Sequence, residues 1–490
     1  MGTHTLAPAR HYLLRRLSGL LAPDEISWQD DDLEAAATDR SGLRLPGRPL
    51  AVLTPTSVES VRAVLRVAHA AGATVVPRGA GSGLSGGAAA PDGSLVLSTA
   101  RLDRILQIDP VDGIAVVQPG VVVADLDAAG AEHGLLYPPD PASHRIATVG
   151  GTIATNAGGL RCVKYGVTRD SVLALTVVLA DGSLLRTGRR TLKGVVGFDL
   201  TGLFVGSEGT LGVVVEATVR LLPRPVKTRT AVAFFDSAAQ AAAAVNAVTR
   251  TGARPSALEL LDAGALRAID RAQQTDLADR GSALLLAQTD GFGADAEIDA
   301  VASALAAAGG RTELPDDATA ERYLWLRRHG RGAPTEEWLI GEDVAVPRSA
   351  LPAAITAIGE IARRHGLDSA VVAHIGDGNL HPLFSTPKTA SDGGIPPDRL
   401  HAAADELVRT ALALGGTITG EHGVGIAKRP WLGVELDEPN LDLQRRLKAA
   451  LDPNGILNPH TWLAPVPREP AATESRLTRP FLVRRVKEQS

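Results

Sequence analysis

Between Val76 and Gly87 the chain reads V-P-R-G-A-G-S-G-L-S-G-G, with five glycines in the nine residues from Gly79. A stretch this poor in Cβ atoms neither propagates a helix nor fills a core. It lies between two β-branched runs, Thr74–Val76 and Leu95–Ser98, so the local order is strand, glycine loop, strand. The spacing Gly81-Ser-Gly83-Leu-Ser-Gly86, with Asp103 17 residues further on, matches the dinucleotide fingerprint G-x-G-x-x-G. That fingerprint works only where a helix starts at the loop and turns its dipole on the pyrophosphate. Here Gly87 is followed by three alanines and Pro91-Asp92-Gly93 before the next strand, which leaves no room for a crossover helix. What remains is a cradle in which backbone N–H groups converge on an anion, with Arg78 and Ser82 as further donors. The competing reading, a flexible surface linker, gives no reason for the loop to sit between two strands.

A second stretch of the same texture follows about 70 residues later. It runs from Pro138-Pro139-Asp140-Pro141 through Thr148-Val-Gly150-Gly151 and Asn156-Ala-Gly158-Gly159 to Tyr165-Gly166. Small residues of this kind make a poor core but let a backbone lie flat against a large planar ligand, with amides facing ring heteroatoms. Turns that merely tolerate glycine explain one such stretch better than they explain two.

The rest of the chain divides around these loops. Residues 1–45 read as a helical lead-in, with Leu13, Leu14, Leu17, Leu20 and Leu21 at helical spacing. Residues 46–224 alternate short strands (Leu50–Leu53, Ile114–Gln118, Leu173–Leu179, Gly212–Leu221) with a helix over Thr56–Ala71. Thr56 and Glu59 have the spacing of a capping box at its start. The pattern is α+β and not a regular βαβ alternation. Pro223-Arg224-Pro225 marks a boundary. Residues 225–463 form a second mixed domain, with helices over Ala238–Val248 and Ile298–Ala308. Its strands are expected over Ser282–Gln288, Trp338–Val346 and Ala370–Ile375. Residues 464–490, with six Arg or Lys against three Glu, read as a C-terminal extension.

Composition excludes several classes. A net charge of −5 argues against general nucleic-acid or anionic-membrane binding. The single cysteine, Cys162, cannot form an internal disulfide or a four-cysteine cluster. No apolar run approaches the ~18 residues of a membrane span, and Arg10, Arg15 and Arg16 interrupt any secretory pattern at the N-terminus. The expected location is cytoplasmic.

The sharpest chemistry lies at His374-Ile-Gly-Asp-Gly-Asn-Leu-His381 and, forty residues later, Gly420-Glu421-His422-Gly423. On a straight strand, residues seven apart face opposite sides. Gly376-Asp377-Gly378 breaks the strand, and a turn there brings both imidazoles to one point. Two histidines and a carboxylate are a common first shell for zinc, and also serve manganese or ferrous iron. A lone histidine such as His365 or His401 is more simply a satisfied core or surface residue.

Taken together, P-R-G-A-G-S-G-L-S-G-G, P-P-D-P-A-S … G-G-T-I-A-T-N-A-G-G-L-R-C-V-K-Y-G-V and G-S-E-G-T-L-G resemble the FAD domain of the vanillyl-alcohol-oxidase superfamily. The branch most similar contains glycolate oxidase flavoprotein subunits, cytochrome-type D-lactate dehydrogenases and D-2-hydroxyglutarate dehydrogenases, and the resemblance covers about 48–463. It implies a two-domain α+β protein, a PCMH-type FAD-binding domain joined to a mixed α/β substrate (cap) domain. It places Pro77, Arg78, Gly79, Ala80, Gly81, Ser82 and Gly83 at the pyrophosphate. Around the flavin and its ribityl chain it places Pro139, Asp140, Thr148, Gly151, Asn156, Gly158, Gly159, Tyr165 and Gly166. Val214 would lie near the adenine end and Asn458 near the isoalloxazine. Ser82 stands where some members carry an FAD-linking histidine, so FAD is expected to be non-covalent. The resemblance also makes His374, His381 and Glu421 ligands of a divalent metal, zinc first and manganese or ferrous iron as alternatives. His422 becomes the catalytic base, and the W-x-x-R at Trp325 offers Arg328 for the substrate carboxylate, with Arg327 the near alternative and a solvated helix charge the competing reading.

The implied reaction is oxidation of a D-2-hydroxy acid to the 2-oxo acid by hydride transfer to flavin N5. Electrons would then pass to a separate acceptor (a carrier protein, a quinone or an iron–sulfur subunit) or to oxygen. Such an acceptor would keep the protein peripheral to a membrane, and a homodimer is compatible with the pattern. Two features of the 2-hydroxyglutarate enzymes are absent, a lysine where Gly341 stands and an asparagine where Leu383 stands. Their loss favours a monocarboxylate, lactate- or glycolate-like or larger. The alternatives are a metal-free alcohol or sugar oxidase of the same superfamily and a flavin subunit that only relays electrons.

Overall fold

The computed structural model describes residues 6–191, 193–330, 332, 336–389, 392 and 395–461. The extension expected at 464–490 lies outside them. Two compact units share the chain. Of the described residues, the first takes 6–157, Val167–Pro223 and 422–461; the second takes Gly158–Gly166 and Arg224–Glu421. They part at Pro223/Arg224, within the proline pair, but a single crossing near 224 is not what is seen. Residues 158–166 of the second glycine-rich stretch go with the second unit, and the chain returns to the first at His422.

In the first unit a four-stranded sheet runs in the order Ile26–Ser27, Ala51–Leu53, Leu95–Ser98, Val75–Arg78. Leu95–Ser98 is parallel to both its neighbours. The two parallel connections differ in kind. Ala51–Leu53 leads to Val75–Arg78 through the helix Val58–Ala71, which buries Val61, Val64, Leu65 and Ala68 at i, i+3, i+4 and i+7. Val75–Arg78 reaches Leu95–Ser98 through residues 79–94 with no helix, as the sequence required. The capping expectation at Thr56 is corrected: Ser57 Oγ accepts from Ser60 N at 3.1 Å. Thr56 instead donates its N–H and hydroxyl to Glu25 Oε1, each at 2.7 Å. The N-terminal helix Leu6–Ser18 contributes Leu13 and Leu17, with Leu21 just beyond it, to a core shared with Leu95, Leu97, Val213, Ile456 and Leu457.

A five-stranded antiparallel sheet completes this unit, in the order Ile105–Asp109, Ile114–Val117, Val213–Arg220, Val172–Val178, Leu184–Gly188. Leu222–Pro223 still pairs with Leu135–Leu136, so the proline ends a two-residue ladder at its edge, where a missing N–H costs least. Residues 456–458 join the first sheet beside the glycine loop. Val75 N donates to Ile456 O and Asn458 N to Val75 O, both at 2.8 Å.

The second unit is built on an eight-stranded sheet, in the order Arg311–Glu313, Thr228–Phe235, Ala283–Asp290, Ala257–Asp262, Asp368–His374, Asn379–Pro387, Glu337–Gly341, with Val344–Ala345 also paired to Asn379–Pro387. All its pairings are antiparallel. The strand expected over Trp338–Val346 is split at Glu342-Asp343, both buried, because Asp343 turns its carboxylate to side-chain and loop donors instead of continuing a strand face. Ala257–Asp262 and Ala283–Asp290 are buried almost throughout. Glu259, fully buried in the middle of the first of these, is a charge that needs a partner to be tolerated there.

Candidate functional site

In the first unit the glycine loop is closed by residues 39–41 and by the side chain of Arg78. Arg40 N donates to Gly81 O at 2.9 Å and Ser41 N to Gly83 O at 3.2 Å. Buried Asp39 accepts from Ser41 N at 3.0 Å and from Ala88 N at 3.4 Å, and burial raises its pKa despite those bonds. Arg78, read from sequence as an anion donor, gives its guanidinium to the carbonyls of Thr38 (2.9 Å), Ala88 (3.2 Å) and Ala35 (3.4 Å). Its side chain therefore braces the loop, which leaves the backbone N–H groups of residues 78–83 and the Ser82 hydroxyl as the groups that could face an anion.

The two glycine-rich stretches meet here. A Cβ on Gly79 would stand 2.5 Å from Thr148 Oγ1, the hydroxyl that caps the helix Val149–Thr155 by accepting from Gly151 N at 3.2 Å. Asn156 closes that helix in the left-handed conformation, at φ 53°. Pro139 and Asp140 are buried, and Val214 pairs with Val177 in the five-stranded sheet. Asn458 Nδ2 donates to Gly87 O at 2.7 Å and Glu208 O at 2.9 Å, tying the glycine loop to the G-S-E-G-T-L-G motif.

The remaining positions read as flavin neighbours, Gly158, Gly159, Tyr165 and Gly166, lie in the second unit. Tyr165 donates its hydroxyl to the Asp290 carboxylate, 2.8 Å from either oxygen; burial and that carboxylate raise its pKa. Lys164 Nζ donates to Asp290 O at 3.0 Å. A Cβ on Gly158 would lie 2.6 Å from Glu421 Oε2, so this part of the stretch lies against the second candidate site.

That site is a hairpin. Asp368–His374 turns through 375–378 into Asn379–Pro387, in a register that sets His374 opposite Asn379 and Val372 opposite His381. Both histidines therefore share a face as diagonal neighbours, as the expected turn requires. The turn depends on Gly378, at φ 95°, where a Cβ would fall 2.2 Å from Val346 O. The imidazole centroids are 5.2 Å apart with perpendicular planes. Glu421 Oε1 lies 3.1 Å from His381 Nε2 and 3.5 Å from His374 Nε2. One donor atom from each of the three falls within 4.8 Å of the others.

Each imidazole also has a carboxylate on its far nitrogen. Glu259 Oε1 is 2.8 Å from His374 Nδ1, and Asp343 Oδ1 is 3.7 Å from His381 Nδ1. Asp343 also accepts from Asn379 Nδ2 (2.6 Å), Thr419 Oγ1 (2.6 Å) and Glu421 N (3.0 Å). Burial opposes charge on His374, but Glu259 and Glu421 outweigh it and raise its pKa to about 10. Burial raises Glu421, while His374 and His381 hold it well below the usual carboxylate range. A cluster that favours positive charge, with both Nε2 atoms turned inward, fits a divalent cation at His374, His381 and Glu421.

Glu259 and Asp343 escaped the sequence reading. Glu259 carried one signal, an acid in the otherwise apolar run A-L-E-L-L-D. Of the two candidate arginines on the helix Asp317–His329, Arg327 is buried and paired with Glu259 at 2.5 Å. Arg328 is half-buried. His422 begins the return to the first unit, and Ser85 Oγ lies 2.7 Å from its carbonyl oxygen. Gly341 and Leu383, the two positions at which the sequence departs from the expected 2-hydroxyglutarate pattern, stand directly opposite each other across two strands. Leu383 is two residues from His381 on the same face.

Residues 49–188 match the FAD binding domain family and 224–461 the C-terminal domain of FAD linked oxidases. The chain is 39% identical to glycolate oxidase subunit GlcD of Bacillus subtilis over 87% of its length and 91% of the relative's. It is 32% identical to D-lactate dehydrogenase [cytochrome] 1 of Saccharomyces cerevisiae, over 92% and 79%. Among solved structures, p-cresol methylhydroxylase superposes with a TM-score of 0.77 at 18% identity, covering 94% of this chain and 98% of that one. Alkyldihydroxyacetonephosphate synthase gives 0.70 at 18% identity, over 92% and 84%. These two share the fold. The glycine cradle, the sheet architecture and the relatives agree, and the chain belongs to the FAD linked oxidases as an FAD-dependent oxidoreductase.

Proposed function

We propose that this chain oxidises a D-2-hydroxy acid to the 2-oxo acid. The observation that carries the reading is the convergence of His374, His381 and Glu421 on one point, with a carboxylate behind each imidazole. A flavoprotein that only relays electrons, or a metal-free alcohol oxidase, has no use for such a donor set. The names glycolate oxidase and D-lactate dehydrogenase among the relatives support the same class.

When bound, FAD supplies the two-electron sink and a divalent cation the Lewis acidity that makes a hydroxyl easier to deprotonate. The chain's own groups do the rest. Arg328 holds the substrate carboxylate in a two-point fork, while Arg327 stays with Glu259 and keeps the histidine face rigid. His422 takes the hydroxyl proton, a contribution of about 10²–10⁴-fold. The Gly341–Leu383 pair presents no cation or amide for a second carboxylate, which favours lactate-, glycolate- or larger monocarboxylate substrates. Reoxidation falls to a separate acceptor, since Cys162 alone cannot hold a cluster.

Anaerobic titration of the purified holoprotein with D- and L-2-hydroxy acids tests the reaction class. Bleaching of the flavin by a D-acid and not its L-enantiomer is expected. Bleaching by simple alcohols instead, undiminished in His374→Ala, would establish the metal-free oxidase reading.

A further inference from the structure

The motif Gly206-Ser-Glu-Gly-Thr-Leu-Gly212 has so far no role beyond the resemblance. Its glutamate, Glu208, sits at φ 52°, a left-handed conformation uncommon for that residue. The backbone is pinned there: Glu208 N donates to Ala154 O at 2.8 Å, and Glu208 O accepts from Asn458 Nδ2 at 2.9 Å. The side chain is buried. Its carboxylate meets the loop that follows His422: Oε1 accepts from Val424 N at 2.7 Å and Oε2 from Gly425 N at 2.8 Å.

Ser85 holds the same loop. Its hydroxyl lies 2.7 Å from His422 O and 2.8 Å from Gly423 O, and its carbonyl accepts from Ile426 N at 2.9 Å and Ala427 N at 3.0 Å. From His422 O to Ala427 N, these two residues fasten six consecutive backbone groups within the first unit. A buried carboxylate and a strained backbone each cost free energy, and structures keep such costs where a geometry must be held.

We infer that Glu208 is the positioning residue for His422, acting through residues 422–427 with Ser85 as the second anchor. This rests on the reading of His422 as proton acceptor. Two backbone anchors fix the histidine Cα, so that only its side-chain torsions set the approach to the hydroxyl. A misplacement of about 1 Å at such a group costs on the order of a hundredfold in rate.

The test uses FAD-loaded wild type, Glu208→Gln, Glu208→Asp and Ser85→Ala, with D-lactate as substrate. Hydrogen exchange on a peptide covering 422–428 reports the clamp without reference to turnover. In Glu208→Gln that peptide should exchange at least about tenfold faster, because an amide N–H₂ now faces a backbone donor. Its kcat should fall about 10–100-fold with KM within about threefold and FAD content unchanged, and Glu208→Asp should recover part of the loss. Wild-type exchange in Glu208→Gln overturns the inference, as does faster exchange with unchanged kcat, or a loss of activity wholly explained by released FAD. If Glu208→Gln does not fold, Ser85→Ala must show the same pattern in smaller degree, and its failure to do so overturns the inference equally. His422→Gln separates the two claims: wild-type kcat there removes the proton-acceptor role, while the exchange result still decides whether Glu208 holds the loop.

Discussion

The glycine loop of the first unit and the histidine hairpin of the second solve opposite problems. The loop is made of main chain; Arg78 within it and Asp39 outside it fix its shape, and what it would offer a ligand is amide groups. The hairpin is made of side chains on two paired strands, with the His374 ring bonded from behind by Glu259 and the His381 ring 3.7 Å from the Asp343 carboxylate. A main-chain site should therefore be broken by adding atoms, and a side-chain site by removing partners that never touch the ligand.

Glu259→Gln tests the second half of that contrast most severely. It strips the buried Arg327 of its ionic partner and leaves one amide oxygen to serve Arg327 and His374 Nδ1, so that an N–H₂ donor faces one of them, and a loss of about 3–5 kcal/mol in unfolding free energy is expected. Metal affinity, read by competition with a chelator, should also fall about 10–100-fold. Unchanged values on both counts would mean that the hairpin does not depend on its backing.

Next in size is a pH effect. Burial, with a smaller contribution from Asp39, raises the Glu208 pKa from the ordinary 4.5 to about 7, against the opposing pull of the Val424 and Gly425 N–H groups. The folded chain then holds a proton there that the unfolded chain has released, so the contribution of Glu208 to stability is full below about pH 4.5 and is lost as pH rises to about 7. The decline amounts to about 3 kcal/mol. Denaturant titrations of the wild type should show this slope, and Glu208→Gln should flatten it.

Gly79→Ala tests the main-chain half. The added methyl, 2.5 Å from Thr148 Oγ1, should cost about 1–3 kcal/mol and weaken FAD retention on gel filtration. Thr148→Ala in the same chain should restore part of it by removing the clashing hydroxyl. The smallest expected effect is a gain: Gly341→Lys with Leu383→Asn should raise kcat/KM for D-2-hydroxyglutarate relative to D-lactate by about tenfold, one buried charge-assisted contact's worth.

These contrasts also mark what the sequence could disclose. Glycines at 79, 81 and 83 announce a main-chain cradle because nothing else tolerates so many missing Cβ atoms. Which way Arg78 points is decided by carbonyls at Ala35 and Thr38, forty residues back, and no local pattern reports that. His374 and His381 were legible as a pair because the glycines between them imply a turn. Glu259 and Asp343 were not, because strands distant in sequence bring them to the rings. The assignment of 158–166 to the second unit depends on contacts such as Gly158 against Glu421, which no local pattern reports. The spacing of Thr56 and Glu59 matches a helix cap, but Glu25, far away in sequence, accepts both Thr56 donors.

The parallel bridge between Val75 and Leu457 bears on the order in which a ribosome can complete the molecule. The sheet begun by Ala51–Leu53 stays open at that edge until residues 456–458 have been synthesised, after every strand of the eight-stranded sheet, the last ending at Pro387. The unit started first is thus closed last, and in the interval its uncovered edge strand is the part of the nascent polypeptide most in need of a chaperone.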